Sequence, residues 1–163
     1  MLQLQKKAQQ LIKHISIILA FFLMLSSPVG AQDYDKGLAA YINEDYATAF
    51  KEWKPLAEQG YAKAQSNLGR MYNYGEGVIQ DYKEAVKWYK LAAEQGYAKA
   101  QSNLGLMYIL GQGVIQDYVM AHLWLNIGAT NGDELGGTNR DVIAEEMTLS
   151  LIHISEPTRP MNI

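Results

Sequence analysis

Few residues in this chain have the type and spacing to do chemistry. Outside the two ends there is one histidine, His122. A single helical histidine is more often a packing or surface residue than a ligand, and no cysteine or second histidine stands near it to share a metal. The chain has no cysteine at all, which excludes disulfides, thiolate metal sites and a cysteine nucleophile. Ser66 and Ser102 occupy the same place in two copies of one segment. Duplicated serines of this kind point to scaffold rather than to a nucleophile with its own base. Glu145 and Glu146 are adjacent, so on a helix they diverge by about 100°, whereas a glycosidase pair must converge across a cleft. Gly75-x-Gly77 and Gly111-x-Gly113 are too short and too regular to cradle phosphate, and read as turns. No catalytic, metal or cofactor site follows from these residues.

The elements carrying them repeat. Ala57–Gly69 recurs letter for letter as Ala93–Gly105, and Gly75-Glu-Gly-Val-Ile-Gln-Asp-Tyr82 recurs with one change as Gly111–Tyr118, a period of 36 residues. A degenerate copy precedes them, with Tyr46, Ala49 and Ala57 one period before Tyr82, Ala85 and Ala93. Each period holds two helices. Ala64, Leu68, Met71 and Tyr72 make an apolar stripe on the first; Ala85, Trp88, Tyr89 and Ala92 make one on the second, with Lys83, Glu84, Lys87, Lys90 and Glu94 filling its other face. Asp81 is placed to cap the second helix, with Glu84 completing a capping box. Gly60 and Gly96 suit helix ends, and Val78 is expected to pack under the turn that Gly75 and Gly77 allow. Pro55 is expected to bend its helix. A two-helix unit cannot bury both stripes alone, so the units must stack, each large apolar side chain contributing roughly 1.5–3 kcal/mol. Gly69 and Gly105 lie inside helices, at a cost of about 1 kcal/mol each relative to alanine. That placement makes sense where another helix crosses with no room for a Cβ. The expected fold is an all-α solenoid of antiparallel helix pairs.

These residues resemble the Sel1-like repeat. The pattern Ala-x-x-Asn-Leu-Gly-x-Met-Tyr, Gly-x-Gly-Val, Asp-Tyr, Ala-x-x-Trp runs through Ala64–Tyr72 with Ala85–Ala93, and through Ala100–Tyr108 with Ala121–Ala129. Trp53–Gly60 is similar to an opening repeat, and Asn139–Thr148 to the start of a closing helix. The resemblance implies an α-solenoid related to tetratricopeptide repeats that acts as an adaptor in protein–protein contacts. Secreted relatives linked to cell-wall or antibiotic substrates imply an alternative, a hydrolase or ligand-binding protein. His122 and Leu123 depart from the usual helix residues, and the cysteines of the secreted branch are absent.

Both ends read differently from the body. Residues 1–14 carry Lys6, Lys7 and Lys13 and no acid, an 11-residue apolar run follows over Ile15–Leu25, and Ser26-Ser27-Pro28-Val29-Gly30-Ala31 closes it. This is the order of a secretory signal over 1–31, with cleavage expected between Ala31 and Gln32, although an uncleaved anchor has the same features. The expected location is the periplasm or the cell exterior, with membrane contact only through that segment. Residues 149–160 resemble one reading frame of a transposase-type sequencing adapter, so 149–163 are expected to be unrelated to the gene and without fixed structure. The expected domain is therefore 32–148: a degenerate repeat at about 33–60, repeats at about 61–96 and 97–132, and a cut-off closing helix at about 138–148. That stretch has 10 Lys and Arg against 16 Asp and Glu, a net of −6, which disfavours nucleic acid as a partner.

Positions that break the repeat are the candidates for selective contact. Arg70, Asn73 and Tyr74 become Leu106, Ile109 and Leu110 in the next copy. These six are expected either to bind a peptide or partner protein or, for the three apolar ones, to pack on the closing helix.

Overall fold

A computed structural model describes residues 29–155, with side chains over 33–148. The chain divides into two units, Met1–Gln32 and Asp33–Ile163. The expected signal segment lies outside the described residues up to Pro28. Among the described residues there are seven helices and no strand: α1 (Val29–Ile42), α2 (Tyr46–Glu58), α3 (Ala62–Tyr74), α4 (Tyr82–Glu94), α5 (Ala98–Leu110), α6 (Tyr118–Thr130) and α7 (Glu134–Ser155). None of them is long and apolar enough to cross a membrane. From Asp33 onward they form the all-α solenoid that the 36-residue period predicts, each helix packing on its neighbours in sequence.

Two buried clusters fill the stack. Trp53, Leu68 and Met71 lie in the first, and Tyr89, Leu104 and Met107 in the second. Tyr72 packs against both clusters, tying one pair to the next. Val78 and its equivalent Val114 pack under their turns as expected. Trp88 is core, while Trp124, Tyr72 and Tyr108 are half-buried beside it.

The interior glycines mark helix crossings. A Cβ on Gly69 would stand 2.6 Å from the Tyr89 ring, and one on Gly105 would stand 2.7 Å from Leu125 Cγ and 3.1 Å from the Ala121 carbonyl oxygen. Gly37 on α1 meets the Trp53 indole in the same way. Trp53, Tyr89 and Leu125 keep the 36-residue register, but Gly37 stands 16 residues before Trp53, whereas Gly69 and Gly105 stand 20 before their partners. The difference is a shorter turn, Asn43–Asp45, in place of Gly75–Asp81. In the longer turns Gly77 and Gly113 combine a positive φ of 71° with close approach to the backbone at Tyr46 and Tyr82. A side chain there would meet both backbone strain and a clash.

A polar ladder runs through the apolar stack. Buried Gln65 donates to the Ala57 carbonyl at 3.0 Å and accepts from Gln95 Nε2 at 2.7 Å. One period later, buried Gln101 donates to the Ala93 carbonyl at 2.9 Å and accepts from Asn131 Nδ2 at 2.8 Å. Each buried carboxamide therefore donates to a helix-end carbonyl of the preceding repeat and accepts a hydrogen bond from the end of its own repeat.

Two local expectations need correction. Asp81 caps α4, its carboxylate accepting from the amides of Lys83 and Glu84 at 2.9 and 3.1 Å. The capping box does not close, because the Asp81 amide already donates to the Tyr72 carbonyl and Glu84 pairs with Lys87 instead. At the far end the closing helix begins at Glu134 and continues past Thr148 to Ser155, into the segment expected to lack structure. No glycine or proline interrupts the sequence between Gly137 and Pro157, so the helix has no local reason to stop at Thr148.

Candidate functional site

α1, α3 and α5 present a common face, and a groove of about 530 Å³ runs along it. Buried Trp53 and Tyr89, reaching up from α2 and α4, are among its lining residues. Tyr34, Leu38 and Tyr41 contribute from α1, Arg70 and Tyr74 from α3, and Lys99 and Asn103 from α5. The volume is in the range of small-molecule and short-peptide sites.

The aromatic side chains hold one another in place. Tyr34 stacks on Trp53 with ring centroids 5.9 Å apart and meets Tyr61 edge-on at 5.4 Å. The Trp53 indole N–H donates to the Tyr34 carbonyl at 3.1 Å, and Asn67 donates to the Tyr34 hydroxyl at 3.2 Å. Tyr41 packs on Trp53 at 5.5 Å and donates its hydroxyl proton to Glu76 at 2.6 Å. Arg70 lies over the Tyr41 ring, 4.8 Å from its centroid, and stands 3.8 Å from the same Glu76 oxygen. Arg70, Tyr41 and Glu76 thus close one end of the groove. Burial, and next its hydrogen bond to Glu76, push the Tyr41 phenol well above the ordinary tyrosine range, so it remains a neutral donor. Burial also raises the Tyr89 and Tyr97 phenols.

The electrostatics differ from end to end. Glu76 follows the last turn of α3, whereas Lys99 stands in the first turn of α5, at the opposite end of the paired helices. Among the described residues Lys99 has no ion-pair partner and Asn103 makes no side-chain hydrogen bond. The groove therefore holds two cations and one acid within a stretch, 32–148, whose net charge is −6.

Of the six candidates, Arg70 and Tyr74 line the groove. Asn73 does not: it is half-buried, its side-chain oxygen has no partner, and its backbone carbonyl accepts from Gln80. Leu106, Ile109 and Leu110 also lie outside the groove lining. Leu106 and Ile109 are half-buried and Leu110 is 61% exposed, so α7 leaves at least Leu110 uncovered. Ala31 and Gln32 fall within α1. Repeat comparison misses Tyr34, Tyr41, Lys99 and Asn103; Glu76 does break the repeat, with Gln112 in its place, but it sits in a turn rather than on a helix. The α1 residues escape the comparison because the shorter turn puts them four residues out of register, and Lys99 and Asn103 because they repeat Lys63 and Asn67.

Of the other residues weighed for chemistry, only Ser66 borders the groove. His122 is half-buried on α6, Ser66 and Ser102 are buried, and Glu145 and Glu146 are exposed on α7. No group of three or more His, Asp or Glu among the described residues is placed to hold a metal ion.

Known proteins agree with this architecture. Residues 62–97 and 98–133 match the Sel1 repeat, one residue later than the boundaries expected from sequence. No curated protein matches the chain. Among solved structures, a protective antigen of uropathogenic Escherichia coli strains with an SLR fold is 38% identical, with a TM-score of 0.62 over 66% of this chain and 24% of that one. A Sel1 repeat protein from Oxalobacter formigenes is 33% identical, with a TM-score of 0.62 over 66% of this chain and 43% of that one. The chain thus spans less than half the length of either. Residues 62–133 match two Sel1 repeats within an SLR-type solenoid, a fold that generally serves as a scaffold for protein–protein interaction and is mostly non-enzymatic.

Proposed function

We propose that this chain is an exported adaptor that binds a partner protein, or a peptide segment of one, along the face shared by α1, α3 and α5. The observation that carries the reading is the groove itself. Its walls are aromatic rings fixed by their own contacts, and its polar groups include a cation and a carboxamide with no partner among the described residues. Rigid aromatic walls lose little side-chain freedom on binding, and repeat solenoids use such extended faces for recognition. Arg70 and Tyr74 supply selectivity within the groove, and Leu110 extends the contact surface beyond it.

The amino-terminal segment supports export, with Gln32 as the first residue of the mature protein. Mass spectrometry of the protein recovered from the cell envelope should find that terminus. An intact Met1 in a membrane fraction would instead mean an anchor. That the E. coli neighbour is a protective antigen agrees with a location outside the cytoplasm.

Crosslinking pull-down from an envelope extract tests the binding reading. The wild-type chain should enrich a protein that an Arg70→Ala/Tyr74→Ala variant of unchanged melting temperature does not. Equal enrichment by both would remove these residues from the interface.

A further inference from the structure

Resting on the adaptor reading, we infer that the groove takes the free carboxyl terminus of an extended peptide, its carboxylate against Lys99 and Asn103 and its last side chains against the groove tyrosines. Charge selects this chemistry. Lys99 lines the groove without an ion-pair partner among the described residues, and Asn103 stands one helical turn further along α5 on the same face. Together they offer a cation and a carboxamide N–H to one carboxylate, the charge-assisted arrangement that outweighs neutral hydrogen bonds. Arg70 does not compete for the same group, because it lies over Tyr41 and beside Glu76.

A single carboxylate suits this groove better than an acidic run. Glu76 lines its other end, and residues 32–148 carry a net charge of −6, so a multiply acidic partner would be repelled on approach. A chain terminus brings one negative charge and no residue beyond it. Between the two ends the lining is largely aromatic, with Tyr34, Tyr41, Tyr74 and Tyr97 accessible to the side chains that precede the terminus. Lys63 is the repeat equivalent of Lys99, but it does not line the groove. It provides a matched control.

The test uses the full chain and fluorescently labelled pentapeptide libraries, randomised at four positions and ending in tyrosine. One library ends in a free carboxylate and one in a carboxamide; a third, also amidated, has glutamate fixed next to the tyrosine. Fluorescence polarisation should show the free-carboxylate library binding about tenfold more tightly than the amidated one. Lys99→Ala should abolish that difference and Lys63→Ala should preserve it. Equal binding of the acid and amide libraries would overturn the inference, as would equal binding of the internal-glutamate library, which would assign the site to side-chain carboxylates. Absence of binding by all three would also overturn it. None of these results bears on the pull-down, which reads the adaptor function independently of what the partner's terminus does.

Discussion

α3 and α5 differ at only three of their thirteen positions, with Arg70, Asn73 and Tyr74 in one replaced by Leu106, Ile109 and Leu110 in the other. Their buried residues are the same six in the same order: Ala64, Gln65, Ser66, Leu68, Gly69 and Met71 against Ala100, Gln101, Ser102, Leu104, Gly105 and Met107. What faces the core is duplicated, and the three positions that vary all lie outside it. The duplicated positions are fixed by packing density and hydrogen-bond satisfaction, which have one solution at a given helix crossing. The variable ones are free to define a polar, aromatic groove beside the first copy and an apolar, partly exposed strip beside the second. The positions that distinguish the two copies are therefore separate from those that build the frame.

The largest test of the shared frame is truncation of the side chains that cover the helix glycines. Trp53→Ala should cost about 3–5 kcal/mol and Leu125→Ala about 2–5 kcal/mol in urea denaturation, each leaving a cavity. A loss below 1 kcal/mol at Trp53 would separate the first helix pair from the common stack. Next, Gly69→Ala and Gly105→Ala should each destabilise by about 1–3 kcal/mol through overpacking. The second should be the greater loss, since its new methyl meets a backbone carbonyl as well as a side chain. The polar ladder should behave alike in both copies: Gln65→Ala and Gln101→Ala should each cost about 1–3 kcal/mol, because each removes two hydrogen bonds from the buried stack. Clearly unequal melts for that pair would break the equivalence of the frames.

Alkaline titration probes the tyrosine-rich side. Tyr41, Tyr72, Tyr89 and Tyr97 all have phenols raised above the ordinary value of 10.0, burial being the largest cause in each. Above pH 10 the unfolded chain releases these protons while the folded chain keeps them. Their contribution is therefore complete below pH 10 and is lost as pH rises beyond it. Tyrosinate absorbance from these four should rise cooperatively with loss of helix by circular dichroism. A single early titration of all eleven tyrosines with the helices intact would contradict the buried network. The smallest effect is expected on the exposed side of the comparison. Tyr74→Ser and Leu110→Ser should each change stability by no more than about 0.5 kcal/mol, since both side chains are largely exposed.

Much of the frame is legible in the sequence because the constraints that build it repeat. The 36-residue period, the apolar stripes and the helix glycines are each printed twice. The groove is legible only in part. Arg70 and Tyr74 stand out because they break the repeat, but Tyr34 and Tyr41 belong to a first helix that a shorter turn shifts out of register. Lys99 shows the opposite difficulty: it repeats Lys63, and only the three-dimensional path of the groove distinguishes the two. The broken capping box has a similar origin, since the Tyr72 carbonyl that takes the Asp81 amide proton comes from the preceding helix.

The most direct test of the account is site-specific photocrosslinking in the living cell. A photoreactive amino acid would replace Tyr74, beside the groove, or Lys90, on the exposed face of α4. The account predicts a discrete crosslinked protein from position 74, weakened by Lys99→Ala, and none from position 90. A crosslink from position 90 with none from position 74 would place recognition on the other side of the solenoid and contradict it.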